Sequence, residues 1–256
     1  MPATAPLTTP GWYRSLLRLE ELALRLTISR KLRARDANVP LGGAANRVRH
    51  PTLGHVAAER LIPGEDGSAV EFEHHIARYT WAFRFAEGKH AIDVGCGAGY
   101  GSFLLSWVAA EVDGVDRDAT AIEVARSKFD GPRYSVVDGT TDQLPTGDVA
   151  TCFEVLEHVE DPTALCRELL AHAPEILVSY PNPFAAGPHL NPHHRVDWPL
   201  GVLKRALRAA GAGEIDTYHQ RIGSPEVRRG GPPWSAVWIL HVRRAAGGNG
   251  ASSAVG

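Results

Sequence analysis

Two groups of residues carry the chemistry this chain could perform. The first is the run Asp93-Val94-Gly95-Cys96-Gly97-Ala98-Gly99-Tyr100-Gly101-Ser102. The second is Glu154-x-x-Glu157-His158, with His193 and His194 farther along. Glycines at 95, 97 and 99 leave no side chain between the backbone and a bound molecule. The helix that opens after them begins with amides that have no partner inside the helix. An acid, Asp116, ends the next apolar stretch, Val112–Val115, where an αβ nucleotide-binding fold places its ribose contact. In the second group, carboxylates and imidazoles can exchange protons with a reacting molecule. The same set could hold a hard divalent ion such as Mg²⁺.

These groups require strands that end where they begin. Ala91-Ile92 reads as a short buried strand before the glycine turn, and Phe103–Ala110 as the helix after it. Val136-Val137 leads into the acid Asp138 and Gly139, and Thr151-Cys152-Phe153 reads as the fourth strand. Asp161 followed by Pro162 forms an N-cap and first-turn pair for the next helix. Ile176–Tyr180 reads as a fifth strand running into a proline-rich loop, and a helix follows from about Leu200 to Ala210. The last strands fall near Glu214–Gln220 and Ala236–Arg243, with a hairpin or loop at Gly223–Pro233 between them.

The glycine spacing argues against a dinucleotide. A G-x-G-x-x-G fingerprint would put its last glycine at position 100, which is Tyr. A pyrophosphate favours a bare helix N-terminus, whereas Asp93 would repel it and could attract an ammonium. The run from Asp93 to Ser102 resembles the first motif of class I S-adenosylmethionine (SAM) dependent methyltransferases. Glu59-Arg60-Leu61-Ile62-Pro63-Gly64 and Glu73-His74-His75-Ile76-Ala77-Arg78-Tyr79 resemble the E-R-x-x-P-G and E-H-x-x-R-Y segments of a bacterial small-molecule branch of that family. The resemblance extends in unbroken order over about residues 57–222.

That resemblance implies a doubly wound, mostly parallel seven-stranded α/β sheet of Rossmann-like type with an N-terminal helical extension. It implies methyl transfer from SAM to a hydroxyl or amine of a small molecule such as a natural product or sugar. Asp93, Gly95, Cys96 and Gly97 would surround the methionyl part, with Arg78 on its carboxylate. Asp116, beside Arg117, would accept both ribose hydroxyls, and Asp138 with Gly139 would read the adenine edge. Phe153 and Glu154 would line the sulfonium side. His158, with Glu157 and His194, supplies the candidate catalytic groups.

The E-x-x-E-H pattern also resembles the metal site of small-RNA terminal 2′-O-methyltransferases and of ubiquinone-pathway O-methyltransferases. Metal-dependent methylation of an RNA end is therefore an alternative function, as is SAM binding without catalysis. Lys31 and the arginines at 14, 18, 25, 30, 33, 35, 47 and 49 would serve an RNA partner. The net charge of −2 provides no overall basic field for one.

The chain has 256 residues, 44% of them hydrophobic, enough for one αβ domain with an extension. Cysteines 96, 152 and 166 show no paired or metal-binding spacing and suit a reducing cytoplasm. No apolar run is long enough to span a membrane. The expected organisation is a helical and loop extension over 1–69, a methyltransferase domain over 70–244 and a disordered tail over 245–256. Within the extension, Trp12–Arg35 reads as an amphipathic helix that could pack on the core or on a second copy in a homodimer.

Overall fold

The computed structural model describes residues 69–182, 194–196, 198–221, 223–232 and 235–246. The expected helix over 12–35, His193, the proline-rich loop and the tail beyond 246 lie outside these residues.

Helix α1 (Ala69–Ala86) leads into strand β1 (His90–Val94) and helix α2 (Tyr100–Leu105). Strand β2 (Glu111–Asp116), helix α3 (Ala119–Lys128) and strand β3 (Arg133–Val136) follow. Strand β4 (Val149–Phe153) enters a single 3-10 turn at Leu156–His158, and then come helix α4 (Pro162–His172), strand β5 (Glu175–Pro181) and helix α5 (Leu200–Ala209). Strands β6 (Ala212–Arg221), β7 (Ser224–Arg229) and β8 (Val237–Arg244) complete the sheet.

The strand order is β3-β2-β1-β4-β5-β8-β6-β7. The first five strands run parallel, and β8, β6 and β7 join antiparallel. All five residues of β4 are buried, as a strand covered by helices on both faces requires. Ile92, Leu165, Leu169, Ile176, Leu203 and Leu240 meet in one core beneath α4 and α5. Truncating any of them to Ala should cost about 2–5 kcal/mol in lost transfer energy and cavity formation.

Two details correct the sequence reading. Among the described residues the sheet has eight strands rather than seven, because Ser224–Arg229 pairs with β6 as a hairpin strand. Its polar residues and Pro225 hide it from a search for apolar alternation. The helix after the glycine turn spans Tyr100–Leu105 instead of 103–110; the Trp107 and Val108 amides close 3-10 bonds that end it.

Caps set where the other helices begin. Asp118 accepts from the Thr120 and Ala121 amides at the start of α3, and Asp161 accepts from Ala164 with Pro162 in the first turn of α4. Helix α1 lies on the antiparallel half of the sheet. Trp81 packs edge to face on Tyr218, and Phe85 packs on His241 with the rings tilted at 44°. The Gln220 amide nitrogen, fully buried, donates to the His74 carbonyl at 3.0 Å and to the Pro225 carbonyl at 2.7 Å. These contacts hold α1 against β6 and β8.

Candidate active site

The strand order reverses between β1 and β4, so the crevice of a doubly wound sheet opens beyond the carboxyl ends of these two strands. The turn after β1 lines it. Gly95 has φ +74°, and a Cβ there would lie 2.4 Å from Val155 Cγ2. The chain therefore tolerates only glycine at this close approach to the β4 loop. The Gly95 and Cys96 amides donate to the Val115 carbonyl at 2.8 and 3.0 Å, which fixes the turn against β2. Cys96 is buried, and desolvation pushes its thiol far above the usual range. It is a packing residue of the turn, not a nucleophile.

Asp116 ends β2 beside this turn. One of its carboxylate oxygens accepts the Gly97 amide at 2.9 Å and the other accepts the Asp118 amide at 2.9 Å. The two bonds fix the carboxylate plane at the mouth of the crevice. Arg117 is exposed next to it. Asp138 lies just past β3, where its carboxylate accepts from the Thr140 hydroxyl at 2.6 Å and the Thr140 amide at 2.9 Å. These bonds, the hydroxyl first, hold its pKa below the usual value. A Cβ on Gly139 would press on Leu165 at 3.0 Å, so this backbone sits close to α4.

Asp93 does not open into the crevice. It is fully buried, and its oxygens accept from Thr151 Oγ1 at 2.7 Å, Ser102 Oγ at 2.7 Å and Tyr79 Oη at 3.1 Å. Burial raises its pKa, and the bonds from Thr151, Ser102 and Tyr79 oppose that rise. Three hydroxyls occupy the carboxylate expected beside a ligand's ammonium and bind the turn to α1 and β4. Sequence reasoning quoted Tyr79 and Ser102 without assigning them this work. Their types gave the signal, but their convergence did not show in the order of residues.

Arg78 reaches the same region from α1. It is 2% exposed, and its guanidinium donates to Glu154 Oε1 at 3.1 Å. Glu154 follows β4 with φ +56°, an uncommon conformation for a residue with a Cβ. Its amide donates to Ser179 Oγ at 3.0 Å, and that hydroxyl donates to the Glu154 carboxylate at 2.7 Å. Phe153 is buried below, edge to face with Tyr79. Next to Arg78, Tyr100 and His75 Nδ1 share a hydrogen bond of 2.8 Å. Burial, with the nearby Arg78 charge, holds the His75 imidazole neutral by lowering its pKa.

The structure divides the Glu154-x-x-Glu157-His158 group. Glu154 turns toward Arg78, while Glu157, His158 and His194 bring three donor atoms within 4.8 Å of one another. Glu157 is buried at 1% exposure, with Oε1 3.8 Å from His158 Nε2. The His158 and His194 rings meet edge to face at 5.2 Å. The segment carrying His194 is tethered by the Arg195 amide, which donates to the Glu157 carbonyl at 2.7 Å.

Comparison with known proteins agrees with this fold. A family profile described as a methyltransferase domain matches residues 92–172. A protein of Mycolicibacterium smegmatis named "Probable S-adenosylmethionine-dependent methyltransferase" is 30% identical over 178 residues, covering 65% of this chain and 68% of its own. The chain belongs to the SAM-dependent methyltransferases. The mitochondrial ubiquinone biosynthesis O-methyltransferase of Schizosaccharomyces pombe is 42% identical over 111 residues, 40% of this chain and 39% of that one. In fold, the methyltransferase resembles the N-methyltransferase NodS of Bradyrhizobium japonicum, solved with S-adenosyl-L-homocysteine. The two align with a TM-score of 0.56 at 14% identity, over 73% of this chain and 94% of NodS. Among the described residues no helix is long and apolar enough to cross a membrane.

Proposed function

We propose that this enzyme moves the methyl group of SAM to a hydroxyl or amine of a small molecule held beside His158 and His194. The observation that carries this reading is the meeting of the two imidazoles with buried Glu157 just past β4, on the rim of the crevice at the strand reversal. In this reading Asp116 accepts the ribose diol, a task suited to a carboxylate whose plane is already fixed. Asp138 and Gly139 read the adenine. Gly95 and Gly97 let the methionyl chain approach the backbone, and Arg78 takes its carboxylate through a charge-assisted bond. Asp93 serves from beneath, by holding the turn. Phe153 and Glu154 border the sulfonium.

Methyl transfer is an in-line displacement. The acceptor's lone pair forms the new bond to the methyl carbon, and the carbon–sulfur bond pair returns to sulfur, which becomes neutral. Much of the rate comes from alignment of the reacting atoms. The proton of a hydroxyl acceptor, or of the ammonium formed when an amine is methylated, goes to His158.

Glu157, His158 and His194 also fit a divalent ion. With two imidazoles and one carboxylate, the set suits zinc or manganese better than Mg²⁺, which prefers an all-oxygen shell. Such an ion would polarise an acceptor oxygen.

The test is methylation with radiolabelled SAM against panels of phenols, sugars and amines, with a 3′-terminal RNA oligonucleotide alongside. Label transferred to small hydroxyls or amines supports the reading. Label transferred to RNA alone overturns it.

A further inference from the structure

The cluster depends on a segment that arrives from beyond β5, and the anchor of that segment is Tyr180. This residue of β5 is 1% exposed, with its ring in the core formed by Ile176, Leu203 and Leu240. Its hydroxyl donates to the Val196 carbonyl at 2.7 Å and accepts the Trp198 amide at 2.8 Å. The hydroxyl thus closes a bridge over the backbone on the C-terminal side of His194. On the same side, directly after His194, the Arg195 amide donates to the carbonyl of Glu157, which belongs to the turn that carries His158.

We infer that Tyr180 is a positioning residue whose hydroxyl holds His194 against His158. The inference rests on the proposed role of that cluster and deepens it. A phenol in the core is usually found with a partner, but two bonds to a segment outside the regular sheet are more than satisfaction of one hydroxyl requires. Helix α5 starts at Leu200, directly after the bridged residues, so the same hydroxyl also fixes where the chain leaves the crevice and enters the helix. With the backbone just after His194 held at Arg195, Val196 and Trp198, its ring meets His158 at a defined angle; without the Tyr180 bridge it would sample many.

The test uses the full chain and Tyr180→Phe, which keeps the ring in the core and removes only the hydroxyl. Amide hydrogen exchange at Trp198 should quicken by about tenfold, the loss of one buried hydrogen bond. The Leu177 and Val178 amides in β5 serve as the internal reference and should hold their protection. In long-range imidazole NMR spectra, the His158 and His194 resonances should move and their ring-to-ring cross-peak disappear, while His172 and His241 stay in place. SAM titrated into the variant should bind as it does to the parent. A retained cross-peak overturns the inference, and so does equal loss of protection at Trp198 and in β5, which would mark Tyr180 as a general core residue. Failure of the parent chain to bind SAM would instead count against the proposed function and leave the cross-peak result standing.

Discussion

Arg78 and Glu154 form an ion pair 3.1 Å long between α1 and the end of β4, with the guanidinium almost wholly buried. The carboxylate is kept in place by Ser179 as well, so the guanidinium faces a fixed counter-charge at the edge of the crevice. A SAM carboxylate would find a cation already desolvated and oriented.

Replacement of Arg78 by Gln should therefore weaken SAM binding by roughly 10–100-fold, the range of a lost charge-assisted hydrogen bond. Calorimetric titration measures it. Unchanged affinity would mean that the pair serves only to dock α1.

Asp116→Ala should lower SAM affinity by about 100-fold or more, since two hydrogen bonds to a charged acceptor are lost together. Asp116→Asn, which keeps one carbonyl oxygen, should fall between. Equal affinities for parent and Ala variant would place the ribose elsewhere.

His158→Ala should reduce turnover by about 10²–10⁴-fold, the usual contribution of a positioned acid or base. The dissociation constant for SAM should stay at the parent value. Should affinity fall while turnover persists, the imidazole has a structural role.

Gly101→Ala should destabilise the fold by about 1–3 kcal/mol, as overpacked cores do. A Cβ at 101 would sit 2.0 Å from Tyr79 Cζ, and the ring could yield only by leaving Asp93. Urea unfolding of parent and variant measures the difference; equal midpoints would show that α1 moves freely on α2.

Glu175 gives an acid dependence. It accepts from His241 at 2.5 Å and from Lys89 at 2.6 Å, and these bonds, that of His241 first, hold its pKa down to about 2. The unfolded carboxylate titrates near the ordinary glutamate value of about 4.3. Between these values the unfolded chain binds more protons, so the stability from Glu175 is present above the upper value and is lost as pH falls through the lower one. Thermal unfolding of Glu175→Gln should accordingly show a shallower loss of stability below about pH 4 than the parent. Parallel curves would remove Glu175 from the acid response.

The parallel half of the sheet was legible because its strands are apolar runs that stop at glycine or acid, as at Val94-Gly95 and Val115-Asp116. At the antiparallel edge the strands near 214–220 and 236–243 were legible and a hairpin or loop between them was expected, but β7 itself was not read as a strand, since its residues are polar and give no alternation to find. At the site, residue types near the strand ends could be read, but not which of them meet. Asp93 is taken up by hydroxyls from α1, α2 and β4, a convergence that only packing produces. Glu154 is turned away from Glu157 and His158 by a backbone angle of +56°, which no residue in its neighbourhood announces. Tyr180 looked like any core aromatic until its hydroxyl was seen on Val196 and Trp198.

Strand β8 comes last among the described strands yet lies inside the sheet, between β5 and β6. During synthesis, β5 and the β6–β7 hairpin leave the ribosome before the strand that joins them. Until residue 244 has emerged, both carry open edges, and α1 rests on a half-built floor. A nascent or truncated chain stopping short of Val237 should thus be a client for chaperones, and the sheet beneath the crevice should close only once β8 has emerged.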